Sequence, residues 1–351
     1  MLAYCKSLPK AELHAHLNGS VSVRAIEKLI ELRKRSEPDY KADDRVLSTA
    51  KAQDKIRTLA DAFLMFPLIQ ALTQTSEAVT LATVEVISEF NDDNVKYLEL
   101  RTTPRENTVT SMSKVDYIEA VLAGIATCSE RLPIIVRLLL SIDRRQEVAD
   151  ASETVDLAIK FAKSKDARVV GVELSGDPKF DGRKFLPLFQ KAREHGLKIT
   201  LHLAESCDWM EELSEMLALP PDRIGHGTLL HNDPVHAAVI RENSIPLEIC
   251  LTSNFICQTT KTFKDSHLDF WFSRKQPVCL CTDDQGVFDT YLSKEFEIAS
   301  ETFNLTKQDL FDTSLCGLRC GFAPKEELYA IERIWAQFAK EHALKYSSLR
   351  D

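Results

Sequence analysis

The sequence of 351 residues lacks any Cys-x-x-Cys pair, any excess of basic residues and any long apolar run. Each absence excludes a class of protein. A membrane-spanning helix needs about 20 consecutive apolar residues, and no segment approaches that. Residues 1–10 show no apolar stretch behind a basic segment, so no secretory signal is expected. Eleven glycines and thirteen prolines are too few for a fibrous or low-complexity chain. The nine cysteines are scattered and odd in number, which suits reduced thiols in a cytoplasmic protein better than a disulfide framework. With 44 Lys+Arg against 53 Asp+Glu, the net charge is -9. An acidic chain is a poor match for a nucleic-acid backbone, which needs a basic footprint. The expected partner is therefore a small molecule, with no nucleic acid and no membrane. No extended apolar patch suggests a dimer, so a monomer is expected.

What is present is a repeating alternation. Apolar, β-branched runs lie at 11–17, 95–101, 134–142, 169–175, 197–203, 223–227, 245–251 and 277–282. Most are nearly continuous, as in parallel strands buried on both faces. Amphipathic helical stretches separate them, for example over 115–131, 153–165 and 208–217. Strand then helix, eight times over, predicts an α/β fold, a TIM (β/α)8 barrel. The widest gap follows the first strand and predicts extra helices, including 23–35 and 58–71, that cap one mouth of the barrel. The charged stretch 33–55 reads as solvated loop and helix, and the tail from 293 as helices packed on the barrel. With no repeat and no linker, residues 1–351 read as a single domain. Its barrel core covers about 8–300 and its C-terminal helices about 293–351.

A barrel builds its active site at the C-terminal ends of its strands. The first strand ends in His14-Ala15-His16, whose two imidazoles point to the same face. The fifth supplies His202-Leu203-Ala204-Glu205, the sixth Gly225-His226-Gly227, the eighth Thr282-Asp283-Asp284. Alone, each has an ordinary explanation: a satisfied core histidine, or a helix N-cap. Four strands of one barrel carrying His or Asp at one end point instead to a metal site. Three imidazoles and a carboxylate suit zinc. A metal with an open position lowers the pKa of a bound water, and the hydroxide attacks an electrophilic carbon. Glu205 then carries a proton, His226 orients or deprotonates the water, and Asp284 accepts a hydrogen bond from it.

These motifs resemble a known family. Leu8-Pro9-Lys10-Ala11-Glu12-Leu13-His14-Ala15-His16-Leu17, Ser175-Gly176-Asp177-Pro178, His202-Leu203-Ala204-Glu205, Arg223-Ile224-Gly225-His226-Gly227 and Cys281-Thr282-Asp283-Asp284 are similar to the adenosine and AMP deaminase family of the amidohydrolase superfamily. More narrowly, Leu17-Asn18-Gly19-Ser20, the stretch from Glu99 to Arg105, Ser141-Ile142-Asp143-Arg144-Arg145 and Leu251-Thr252-Ser253-Asn254 resemble its adenosine deaminase-like branch. The resemblance implies one Zn2+ per chain, held by His14, His16, His202 and Asp283. It implies Glu205 as proton donor to purine nitrogen 1, His226 as handler of the water proton, and Asp284 as guide of the hydroxide. Gly176 would approach purine nitrogen 3 through its backbone. The implied reaction removes an N6 amine or alkylamine from a purine nucleoside 5′-monophosphate, N6-methyl-AMP giving IMP and methylamine.

Asn18 favours a nucleotide. Adenosine deaminases carry Asp there, and a 5′-phosphate beside a carboxylate suffers like-charge repulsion. The turn Thr102-Thr103-Pro104-Arg105 offers hydroxyls, amides and a guanidinium to a phosphate, although Thr-Thr-Pro is also ordinary turn chemistry. The expected substrate pocket comprises His16, Asn18, Gln70, Thr102, Thr103, Pro104, Arg105, Asp143, Gly176, Glu205, Asp283 and Asp284. Gln70 departs from the branch, which has His there. The competing readings are an adenosine deaminase acting on the free nucleoside, another amidohydrolase reaction, and a barrel that only binds. The cytidine deaminase type needs His-x-Glu with Pro-Cys-x-x-Cys, and neither occurs.

Overall fold

A computed structural model describes residues 1–43, 46–48, 58–208 and 210–349. Part of the charged stretch 33–55 lies outside these residues. Eight parallel strands follow one another in chain order around a barrel. They are β1 (Lys10–His16), β2 (Val95–Thr102), β3 (Ile135–Asp143), β4 (Val169–Ser175), β5 (Lys198–Leu203), β6 (Arg223–His226), β7 (Leu247–Ile249) and β8 (Val278–Leu280). Closure falls between β8 and β1, where His16 N donates to Asp283 O at 3.0 Å and Asp283 N to His14 O at 2.8 Å. The backbone of an expected metal ligand thus joins the two ends of the sheet. The structure is the (β/α)8 barrel that the alternation predicts.

The helices are α1 (Leu2–Ser7), α2 (Val23–Ser36), α3 (Leu59–Leu72), α4 (Ser76–Asp92), α5 (Lys114–Ser129), α6 (Val148–Ala162), α7 (Leu186–Glu194), α8 (Leu213–Ala218) and α9 (Pro234–Glu242). After β7 come α10 (Leu251–Ile256), α11 (Leu268–Ser273), α12 (Gln285–Phe288), α13 (Leu292–Phe303), α14 (Lys307–Arg319) and α15 (Lys325–Glu341). Local chemistry sets several starts. Ser113 with Asp116, and Thr306 with Asp309, form reciprocal capping boxes that satisfy orphan N–H groups of α5 and α14. α3 packs against α12, the short helix that follows β8, which brings the segment inserted after β1 to the C-terminal mouth.

β7 and β8 are each three residues long, shorter than the runs at 245–251 and 277–282. At Cys250 the chain leaves extended conformation (φ -115°, ψ 88°) and Leu251 opens α10. Apolar content does not mark that boundary, because a buried strand and a buried helix turn are equally apolar.

The barrel interior is charged. Glu12, Glu99, Arg101, Glu173, Arg223 and Glu248 are all fully buried. Glu248 is the hub. Its Oε1 accepts from Arg223 Nε at 2.6 Å, and its Oε2 from Arg101 Nη2 at 2.9 Å. Arg101 Nη1 also donates to Glu173 Oε1 at 3.0 Å, while Arg223 Nη2 pairs with Glu99. Burial raises the pKa of Glu248, but the Arg101 and Arg223 guanidiniums outweigh it and hold the carboxyl well below the usual carboxylate range. Beneath the network, the chain after α14 seals the N-terminal end. Phe322 N donates to Glu99 Oε1 at 2.5 Å, Ala323 N to Tyr97 Oη at 2.9 Å, and Arg223 Nη1 to Cys320 O at 2.8 Å.

Removing one partner of such a network leaves buried charge uncompensated. Glu248→Ala is expected to cost about 3–5 kcal/mol, read as a lowered thermal midpoint. Thr200→Val, which removes only a 3.2 Å contact to Glu248, should cost far less. Equal losses would deny the hub its role.

Candidate active site

The ends of β1, β5, β6 and β8 bring His14, His16, His202, His226 and Asp283 together. Ring centroids of His14 lie 5.2, 4.6 and 4.9 Å from those of His16, His202 and His226. Gly225 on β6 makes room for two of them. A Cβ there would stand 2.9 Å from His14 Cε1 and 3.2 Å from His202 Nδ1. The chain turns sharply at the strand ends: Ala204, His226 and Asp283 take left-handed conformations, with φ of 48°, 58° and 62°. Non-glycine residues reach that region at a cost that functional sites commonly carry.

Three of the imidazoles are oriented by their other nitrogen. His14 Nδ1 donates to Glu248 Oε2 at 2.7 Å, which leaves His14 Nε2 buried without a hydrogen-bond partner. That atom lies 3.3 Å from Asp283 Oδ1, as does His16 Nε2. His202 Nδ1 donates to Leu174 O at 2.9 Å, and His226 Nδ1 to Asn254 Oδ1 at 3.0 Å. Ser253 Oγ donates to Asp283 Oδ2 at 2.7 Å. Two overlapping donor sets result: His14, His202, His226 and Asp283, and His14, His16, Glu173 and His202. Within each, one ligand atom per residue lies within 4.8 Å of the others. Imidazole nitrogen with carboxylate oxygen, an orphaned buried Nε2 and backing hydrogen bonds on the other nitrogens fit a divalent transition metal.

The electrostatics agree with a cation. Burial and Arg101 push the His14 pKa down, yet Asp283 and Glu248 outweigh them and bring it up to about 9. Burial pushes His16 down to about 4, and pushes His202 well below its ordinary value together with the neighbouring imidazoles. Burial and the adjacent Asp283 raise Asp284 well above the usual carboxylate range.

Around this centre, Glu205 Oε1 and Asp283 Oδ2 stand 3.9 and 3.8 Å from His226 Nε2. Asn254 Nδ2 donates to Thr228 Oγ1 at 3.2 Å, so its Oδ1 faces His226. The His226 Nδ1 therefore carries the proton, and Nε2 presents a lone pair to the site. Asp284 packs directly on Gly19, where any Cβ would overlap its carboxylate. Asn18 lies half-buried in the turn after β1. Thr102 shares a hydrogen bond of 2.7 Å with Tyr117 Oη. Arg105 Nη2 donates to Thr73 Oγ1 at 2.6 Å and Thr73 O at 3.2 Å, and its guanidinium lies 5.0 Å from the Tyr117 ring centre. Thr103 is half-buried and Pro104 buried beside it. Asp143 is gripped by Arg145 through Nε at 2.9 Å and Nη2 at 2.6 Å, and abuts Gly176. Gln70 is exposed on α3, three residues before Thr73.

Sequence reasoning overlooked Glu173, Glu248, Ser253 and Asn254 as parts of this site. Glu173 and Glu248 had a visible signal. Polar residues recur at every second position, as in Glu12-x-His14-x-His16 and Glu99-x-Arg101, so one face of several strands is polar.

A (β/α)8 barrel with an imidazole and carboxylate donor cluster at its C-terminal mouth, and further carboxylates beside it, is a barrel enzyme of the amidohydrolase type. The model of the family described as adenosine deaminase matches residues 9–335, and the chain belongs to that family. It is 44% identical to N6-Methyl-AMP deaminase-L of Xenopus laevis over 336 residues, 95% of each chain. It is 43% identical to the Homo sapiens N6-Methyl-AMP deaminase over 338 residues, 95% of this chain and 94% of that one. Among solved structures, the apo N6-methyl-AMP deaminase of Arabidopsis thaliana superposes with a TM-score of 0.88 at 37% identity, covering 97% of this chain and all of that one. Arabidopsis ADAL complexed with GMP gives 0.87 at the same identity, again over 97% of this chain and 100% of that one. Among the described residues, no helix is long and apolar enough to cross a membrane.

His267 donates from Nε2 to His226 O at 2.8 Å and supports the left-handed turn at His226. Burial holds its pKa down to about 3, from an ordinary 6.5. The unfolded chain therefore binds a proton there that the folded chain refuses, and stability is lost as pH falls from 6.5 towards 3. The thermal midpoint should fall less between about pH 7 and about pH 5 in His267→Gln than in the unaltered protein. Parallel falls would exclude this group.

Proposed function

We propose that the chain is a zinc-dependent hydrolase of purine nucleoside 5′-monophosphates that converts N6-methyl-AMP to IMP and methylamine. One observation carries the reading: full-length likeness to proteins named N6-methyl-AMP deaminase, in a chain that keeps every donor and proton-transfer residue of the expected site. In this reading His14, His16, His202 and Asp283 hold one zinc ion. When bound, the metal supplies the Lewis acidity that brings water to its nucleophilic form near neutral pH.

The chain's own residues do the rest. His226 Nε2 takes the water's proton, its tautomer held by Asn254. Asp284 fixes the direction of attack on purine carbon 6, seated against Gly19. Glu205 protonates ring nitrogen 1 as the new C–O bond forms. The C6–N6 bond then breaks and the amine departs with the returned proton. The Gly176 N–H faces purine nitrogen 3, and Asp143, braced by Arg145, shapes that edge.

The phosphate lies over Thr102, Thr103, Pro104 and Arg105. Both bonds to Thr73 use Arg105 Nη2, so Nε and Nη1 remain as donors for a phosphate oxygen. The hydroxyl of Thr102 is shared with Tyr117, so the turn's backbone and Thr103 carry the remaining contacts. Asn18 adds no carboxylate of its own to the pocket. In the same reading the chain works as one catalytic domain, as a monomer in the cytoplasm, on small molecules; the net charge of -9 supports the last point.

Two variants test the assignment. Glu205→Gln should retain its metal by elemental analysis and lose about 10²–10⁴-fold in kcat; a rate near that of the unaltered protein would take Glu205 out of the proton path. Asn18→Asp should lower kcat/KM for N6-methyl-AMP far more than for N6-methyladenosine, since only the former brings a phosphate to the new charge. Equal losses on both substrates would mean that Asn18 does not sense the phosphate.

A further inference from the structure

A second donor cluster lies away from the mouth, where α14 packs against β8. Cys279 lies in the middle of β8, Cys316 on α14, and Cys320 just beyond its end. The three sulfurs lie within 4.8 Å of one another. Cys316 Sγ and Cys320 Sγ are 4.0 Å apart. Two thiolates bound to one ion at about 2.3 Å, with angles between tetrahedral and trigonal, stand about 3.8–4.0 Å apart. The observed spacing already meets that requirement.

The arrangement is built rather than incidental to a flexible surface. Cys316 and Cys320 are four residues apart, on one face of the helix end. The Cys320 N–H donates to Cys316 O at 3.0 Å, and Cys320 O accepts from the buried Arg223 Nη1 at 2.8 Å. Cys279 is fully buried and paired in register with Glu248 of β7. Two sulfurs on a fixed helix end thus face one on a fixed strand. Cys316 and Cys320 are half-buried, so an ion can reach them from the surface.

The donor set selects the ion. Among the described residues, no imidazole or carboxylate joins these three sulfurs. Pure thiolate donors favour soft d10 ions, and structural zinc almost always closes a tetrahedron with a fourth ligand. We propose that Cys279, Cys316 and Cys320 form a three-coordinate site for a monovalent thiophilic cation of the Cu(I) type, separate from the centre at the mouth. Binding exchanges thiol protons for the ion, leaving three Cu–S bonds and no change of oxidation state. Among the described residues, no other cysteine belongs to a cluster of three such donors: Cys207 is exposed, and Cys250 and Cys281 are buried outside this one.

The test uses the zinc-loaded protein under anaerobic conditions. Cu(I) is delivered from its bicinchoninate complex, and copper and zinc are both counted per chain after desalting. X-ray absorption then reads the copper's neighbours. The expected result is one Cu(I) per chain, three sulfur neighbours and unchanged zinc content. Cys316→Ser and Cys320→Ser should each weaken Cu(I) binding by about a hundredfold or more, since two thiolates remain. Cys207→Ser should leave it unchanged. Circular dichroism of the variants separates loss of the site from loss of the fold. Should either serine variant not fold, the sulfur count in the unaltered protein decides. No retained Cu(I), a shell of nitrogen neighbours, or folded serine variants that bind as the unaltered protein does would overturn the proposal.

Discussion

Everything at the mouth of this barrel rests on the carboxylate of Glu248. It binds Arg101 and Arg223 and accepts the Nδ1–H of His14, tying β7 to β1, β2 and β6 in one contact set. Charges taken out of water are costly unless paired and hydrogen-bonded. Here the pairing also fixes an imidazole, so a network that is expensive as core packing aims the His14 ring into the donor cluster. Around it, Glu99, Glu173 and Glu248 pair with Arg101 and Arg223, while Asp283 faces His14 and His16. Glu12 is a further buried acid, and burial raises its pKa to about 7 despite the bonds from His14 N and Thr282.

The two ends of the barrel divide the labour. At the N-terminal end, the chain after α14 closes on Glu99, Tyr97 and Arg223 with backbone donors and a backbone acceptor. At the C-terminal end, strained turns at Ala204, His226 and Asp283 lift functional groups into one cavity mouth. This is the usual separation in such barrels, with stability at one face and chemistry at the other. Arg223 spans both: one side of its guanidinium holds the Cys320 carbonyl, the other holds Glu248.

Much of this was legible in the sequence. Residues 169–175 read as a strand and form β4 with the same limits. His14, His16, His202, His226 and Asp283 were readable as a set because they end four apolar runs, and the fold brings them within ring contact. Other features were not readable. The ends of β7 and β8 are set by backbone turns at Cys250 and after Leu280, where composition does not change. Asn254 and Ser253 act from a helix after β7, and nothing in their spacing announces that they face His226 and Asp283. The Thr73 contact of Arg105 joins residues 32 apart through the folded mouth, so the turn alone could not show how the guanidinium is held.

The account comes down to one chemical event at purine carbon 6 of a phosphorylated substrate. The most direct measurement incubates the zinc-loaded protein separately with N6-methyl-AMP, AMP and adenosine, and follows IMP, inosine and released amine by chromatography. The account predicts rapid formation of IMP and methylamine from N6-methyl-AMP, with adenosine left unchanged. Conversion of adenosine to inosine at a comparable rate would contradict the phosphate reading, and no product from any of the three would contradict the deaminase reading itself.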